Sequence, residues 1–298
     1  MNKIKGFLGL MFVGALVALG LGIGVGIYAY GSTHRVNRGE DAYVMHRSLF
    51  SQREFFEQAY VKAIPVREFA GVPRGGIVNH HLLSLRTIVD ILHQFHTDKP
   101  VTVVVLSPDH FFAGKGRITT TFYDWKTPYG ILSADAETIT IIARTGMAVI
   151  DPVPFDHEHG VSGIVPLIKK ELPQARIIPI IFKDTLSIDQ AREFARAVAP
   201  LLPDDAIVIA SLDFSHNAPS SVAETRDKVS KKVVQEFDYA HIMDVSVDSR
   251  PALAVVLQLL DEYGARRFEL FENTNSAKLI GKDIPDATSY ITGVFVVE

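Results

Sequence analysis

The sequence predicts an α/β domain built on a mostly parallel central sheet flanked by helices, preceded by one N-terminal transmembrane helix. Short apolar runs rich in Val and Ile alternate with longer stretches of helical periodicity, the order expected of βαβ units. The run 101–106 is apolar at nearly every position, as in strands buried on both faces of a parallel sheet. Residues 6–30 carry no charged side chain. At about 1.5 Å per residue that length crosses about 30 Å of hydrocarbon.

Residues 1–30 form the expected anchor. Lys3 and Lys5 precede the apolar run, which orients a single-pass span with a cytoplasmic amino terminus and the domain outside the cytoplasm. The run exceeds the roughly 7–15 apolar residues of a signal-peptide core. Gly20, Gly22, Gly24 and Gly26 contain two overlapping G-x-x-x-G spacings, which suit a homodimer packed through its anchors. Residues 31–70 are polar and read as a linker, with a short helix at Arg53-Glu54-Phe55-Phe56-Glu57. Residues 71–298 form the α/β domain. Strands are expected at 75–79, 101–106, 117–122, 176–182, 206–211 and 290–297, and helices at 82–96, 135–146, 160–172, 187–202, 220–238 and 251–263. Pro100, Pro173, Pro203 and Pro251 fall near the ends of these elements, where proline is tolerated.

Composition removes several function classes. Net charge is −4 with no basic block, so there is no electrostatic footprint for nucleic acid. There is no cysteine, which excludes disulfides, zinc–thiolate sites, iron–sulfur ligation and thiol nucleophiles.

Histidines recur where apolar runs end. His80 and His81 follow 75–79, His110 follows 101–106 through Ser107-Pro108-Asp109, and His216 follows 206–211 through Leu212-Asp213-Phe214-Ser215. Ligands of open parallel sheets bind beyond the carboxyl ends of the strands, so these imidazoles share one crevice. His80 and His81 are adjacent and face opposite ways in an extended chain, so only one of them enters. Asp109 either orients a ligand or caps the turn after its strand. Asp213 and His216 share a face if helix begins there, with Asp213 as the helix cap or as the polariser of a His216 base. Asp156-His157-Glu158-His159 lies on a loop or helix start, as a chelating pair or as solvated surface. Imidazoles from neighbouring strand ends suit a divalent first-row metal and leave room for a carboxylate and water.

The whole pattern resembles the MEMO-like family, whose bacterial branch is called AmmeMemoRadiSam system protein B. That family is similar to the catalytic subunits of class III extradiol dioxygenases. The resemblance spans residues 71–297 and rests on Ile77-Val78-Asn79-His80-His81, Ser107-Pro108-Asp109-His110-Phe111, Thr127-Pro128-Tyr129-Gly130 with Asp135, Glu158-His159-Gly160, Ser211-Leu212-Asp213-Phe214-Ser215-His216 and Ser289-Tyr290-Ile291-Thr292-Gly293. It implies a dioxygenase-like sheet, with His80 and His110 as metal ligands and His216, Asp213 and His159 in proton transfer. His81, Asp109 and Glu158 are then expected beside the substrate. The family's third ligand position is Val247 here, which leaves Asp248 or Asp213 to supply the carboxylate. The kinship implies metal-assisted oxidation of a small aromatic or otherwise planar molecule, with iron(II) first and copper or zinc as alternatives. Two other readings stand beside it. One is a non-enzymatic module holding a small molecule or peptide, and the other a metal-dependent hydrolase with a carboxylate bridging two metals.

Overall fold

The computed structural model describes residues 44–298. The expected span over residues 6–30 lies outside them, and among the described residues no helix is long and apolar enough to cross a membrane. In chain order the first half comprises β1 (His46–Arg47), α1 (Arg53–Tyr60), β2 (Val72–Val78), α2 (Leu85–Leu92), β3 (Val101–Pro108), β4 (Ile118–Thr120), β5 (Trp125–Thr127), β6 (Gly130–Ala134), α3 (Ala136–Arg144) and β7 (Val149–Ile150). The second half comprises α4 (His159–Ser162), α5 (Val165–Glu171), β8 (Ala175–Phe182), α6 (Ile188–Val198), β9 (Ile207–Ser211), α7 (Ser220–Glu236), α8 (Arg250–Glu262), β10 (Arg267–Asn275), α9 (Ser276–Ile280) and β11 (Ser289–Val297).

Among the described residues the strands form one sheet in the order β1-β5-β6-β8-β3-β9-β2-β11-β10, with β4 and β7 joined to it at β8. The stretch from β6 through β8, β3 and β9 to β2 is parallel throughout. β11 and β10 add antiparallel pairs at one side. Strand side chains alternate between faces, and both faces are apolar here. Val104, Leu106, Ile178, Ile180, Val208 and Ala210 enter one core with α6 and α8. Val103, Val105, Ile177, Ile181 and Ile209 enter the other with α1, α2 and α5. The expected α/β sheet flanked by helices is therefore present. Because β2, β3 and β9 run parallel, the loops that follow them leave the same edge.

Local chemistry sets the element ends. Ser187 and Gln190 form a reciprocal capping box at α6. Asp135 caps α3 by accepting the Thr138 N–H, and Ser249 caps α8 by accepting that of Ala252. Thr127-Pro128-Tyr129-Gly130 makes the β5–β6 turn, where the Thr127 hydroxyl donates to the Gly130 carbonyl at 2.7 Å and Gly130 adopts φ +115°.

Several expectations need correction. The helix expected at 82–96 is α2 flanked by the 3₁₀ turns Leu82–Ser84 and His93–Phe95. The helix expected at 160–172 divides into α4 and α5. β10 was not expected as a strand. It alternates polar and apolar residues and is only half-buried along most of its length, so it lacks a continuous apolar run. Residues 44–60, within the expected linker, belong to the domain: β1 pairs with β5, and Phe56 is fully buried in the core with Trp125. Phe56→Ala should therefore lower the unfolding free energy by about 3–5 kcal/mol in urea denaturation. Glu54→Ala, on the exposed side of the same helix, should change it by less than about 0.5 kcal/mol.

Candidate metal centre

Asn79 ends the β2 segment and shapes the loop that presents His80. Its amide donates to the carbonyls of His81 at 3.0 Å and Ser84 at 3.3 Å, and its carbonyl accepts the Thr87 hydroxyl at 2.5 Å. Alternation then turns His80 inward, where it is buried, and His81 outward, where it is exposed with Nδ1 2.6 Å from the Tyr290 hydroxyl. At His80, Nδ1 lies 3.2 Å from Ser211 Oγ. The single Ser211 proton goes to the Gly160 carbonyl at 2.6 Å, so Ser211 accepts the Nδ1–H of His80. The lone pair is left on Nε2, which lies 3.3 Å from Asp248 Oδ2 and 3.6 Å from Asp213 Oδ2.

His110 is fixed in the same way. Glu158 caps α4 and accepts the His110 Nδ1–H at 2.6 Å, the His110 backbone N–H at 2.9 Å and the Gly160 N–H at 2.8 Å. Nε2 of His110 keeps its lone pair and stands 3.9 Å from Asp248 Oδ2. His159, the first residue of α4, stacks on His110 with ring centroids 4.1 Å apart and lies 5.2 Å from the His80 ring. One nitrogen from each of His80, His110 and His159 falls within 4.8 Å of the other two. This triad can hold a metal ion, and among the described residues it is the one such group.

The electrostatics favour a site ready for a cation. Burial, then the neighbouring imidazoles of His110 and His159, hold His80 well below the ordinary histidine value. Burial and then His110 likewise lower His159. Burial alone would raise the Glu158 carboxyl, but the hydrogen bond from His110 and further polar contacts outweigh it and keep the value low. Burial, followed by the charge of Asp213, pushes Asp248 well above the ordinary carboxylate range. Asp248 is set in place by a reciprocal pair of bonds: its N–H donates to the Asp213 carbonyl at 3.0 Å, and its Oδ2 accepts the Asp213 N–H at 2.9 Å.

His80 and His110 converge as expected. The third imidazole of the group is His159, whereas His216 stays outside it, half-buried and close enough to feel Asp213, His110 and His81 electrostatically. Asp213 is not a helix cap, because residues 212–219 contain no helix and α7 begins at Ser220. Its Oδ1 accepts the His80 N–H at 3.1 Å, and burial raises its carboxyl. Asp109 and Glu158, both expected beside the substrate, have other work. Asp109 accepts the N–H groups of Ala113 and Gly114, each at 3.0 Å, and so caps its turn. Glu158 is buried with both oxygens taken, so it orients His110 from behind. Asp248 reaches the centre although Val247 occupies the family's ligand position: Val247 packs on the core and its neighbour points inward. Ser211, which selects the His80 tautomer, was not singled out. In the sequence it is a hydroxyl at the carboxyl end of an apolar strand that opens the motif ending at His216.

A family model for Memo-like protein matches residues 73–294. A MEMO1 family protein of Nitrosopumilus maritimus is 28% identical over 191 residues, which cover 61% of this chain and 69% of that protein. One of Caldivirga maquilingensis is 27% identical over 220 residues, covering 70% of this chain and 77% of that protein. A solved structure of the uncharacterized protein JW3007 from Escherichia coli K12 aligns with a TM-score of 0.49 and 12% identity, over 74% of this chain and 99% of its own. The family match takes in β3 to β10, most of β2 and β11, and all three imidazoles of the centre, and the chain belongs to the Memo-like (MEMO1) family.

Proposed function

We propose that this domain binds one divalent first-row metal ion through His80, His110 and His159 with Asp248 as the carboxylate, and uses it for oxidation chemistry on a small planar substrate. One observation carries the reading. With Asp248 ionised, the His80 Nε2 lone pair and Asp248 Oδ2 are both acceptors, and they lie 3.3 Å apart in a buried site. Two acceptors hold that distance only with a proton or a cation between them. It is also about the separation of two donors bound at roughly 2.0–2.1 Å to one ion. The other oxygen, Asp248 Oδ1, is buried without a hydrogen-bond partner, which is costly unless something charged relieves it.

Imidazoles with one carboxylate suit iron(II), and they also take copper or zinc. The family kinship puts iron(II) first. Once bound, such an ion supplies Lewis-acid and redox chemistry at the positions the protein leaves open. His216 does the proton transfer in this reading. Burial holds its imidazole below the ordinary value, partly offset by Asp213, so it is neutral at physiological pH and able to accept a proton. Among the described residues one imidazole group offers donors for one ion rather than two, which favours this over a two-metal hydrolase. With residues 6–30 as an anchor, the domain would act at a membrane surface outside the cytoplasm, a placement supported by the uncharged run and the preceding lysines alone.

The full chain purified without chelators should carry close to one metal ion per chain by elemental analysis, and His80→Ala and His110→Ala should each lose it. Absence of metal under every loading condition would move the reading to a non-enzymatic binding module. Two ions per chain would restore the hydrolase.

Metal affinity should also depend on pH with a definite sign. Asp248 holds its proton above the usual carboxylate range, and His80 loses its own below the usual histidine range. The ion therefore competes with the Asp248 proton rather than with a His80 imidazolium. Affinity should rise by about tenfold per pH unit above the ordinary carboxylate range, levelling once Asp248 ionises. Calorimetric titration in buffers of different ionisation enthalpy measures the proton released. Asp248→Asn should lower both the slope and the number of protons released.

A further inference from the structure

His46 lies outside the metal centre, in β1, and is 1% exposed. A buried imidazole is tolerated when both nitrogens are satisfied, and both are. Nδ1 is 2.8 Å from Asp156 Oδ1, and Nε2 is 2.9 Å from Thr121 Oγ1. An ionised Asp156 carboxylate only accepts, so Nδ1 carries the proton and Nε2 accepts from the Thr121 hydroxyl. Trp125 and Phe155 pack on the ring at tilted angles, with centroid distances of 4.7 Å and 5.8 Å.

The partner matters more than the pocket. Asp156 closes the 3₁₀ turn Val153–Asp156, directly before the stretch that carries Glu158 and His159. Its side chain is 59% exposed, and an exposed carboxylate is well solvated without any partner. Turning inward onto a buried imidazole therefore fixes the backbone that carries it. Residues 46–49 form a strap that also takes the other end of α4, where the Leu49 N–H donates to the Ser162 carbonyl at 2.9 Å. Between these two attachments stand Glu158, which aims His110, and His159.

We propose that His46 is a positioning residue of the metal centre: by holding Asp156 it sets where Glu158 and His159 stand, and through Glu158 how firmly His110 is aimed. The inference rests on the metal-binding reading above. The N-terminal strap thereby becomes part of the metal site although it supplies no ligand.

The test uses the full chain and cobalt(II) as the probe, with visible absorption reporting the ion's coordination. Hydrogen exchange is followed at the His110 and Gly160 amides, both of which donate to Glu158. Asp156→Ala and His46→Ala should each weaken cobalt binding by roughly tenfold, the low end for partners that orient metal ligands. They should also alter the visible bands and speed exchange at the two amides. His46→Asn, whose side-chain amide stands near the lost Nδ1–H, should recover much of the affinity. Phe56→Ala, which weakens the same core without touching the strap, should keep wild-type affinity and bands. Should His46→Ala fail to fold, Asp156→Ala decides the matter, because that carboxylate is largely exposed. Wild-type affinity, bands and exchange in Asp156→Ala would overturn the proposal. If the wild-type chain takes up no cobalt, the metal-binding reading fails instead. Exchange in the metal-free protein then decides the positioning role, which unchanged His110 and Gly160 amides would refute.

Discussion

Both imidazoles that follow the central strands give their Nδ1–H to a buried acceptor, and the rest of the centre depends on that commitment. Ser211 takes the proton of His80, and Glu158 takes that of His110. Each ring is left in one tautomer and one orientation, with Nε2 turned toward Asp248. A histidine with a free Nδ1 could rotate or protonate, and the lone pairs would no longer meet. Partners that hold the far nitrogen of a ligating histidine usually contribute to affinity for this reason.

Such an arrangement has a cost. Asp213, Asp248 and Glu158 are carboxyl groups withdrawn from water, and two of them are pushed toward the protonated form. Paired buried charges seldom add stability over apolar packing. Their presence at the end of an otherwise Val- and Ile-rich sheet marks a place where folding gives way to function. The two cores flanking the sheet supply the compensation, since the strands beneath the centre are buried on both faces.

Rigidity reaches the centre from outside it. The β3 loop is capped by Asp109, the β2 loop by Asn79, and the α4 segment by the strap that carries His46. Asn79 restrains its loop by three hydrogen bonds, donating to the His81 and Ser84 carbonyls and accepting from the Thr87 hydroxyl. Asp248, one residue past Val247, brings Oδ2 to 3.3 Å from His80 Nε2 and 3.9 Å from His110 Nε2. A one-residue offset is absorbed because Asp213 and Asp248 pin each other's backbone.

The strand runs, their parallel order and the loops carrying His80 and His110 were legible in the sequence, because burial on two faces leaves a continuous apolar signature. Asp213 was legible as a member of the site but not in its role, since a carboxylate after a strand looks the same whether it caps a helix or accepts the next imidazole's backbone N–H. β10, the half-buried antiparallel strand, was not legible, because no continuous apolar run marks it. Sequence by itself determined which residue types stand at the carboxyl edge of the sheet, because the strand pattern dictates where each chain segment leaves it. Tertiary structure alone decided that His159 and not His216 completes the imidazole group, that Asp248 reaches past Val247, and that His46 touches the loop of Asp156. Those outcomes depend on angstrom-scale approach between segments far apart in the chain, and local periodicity carries no record of that.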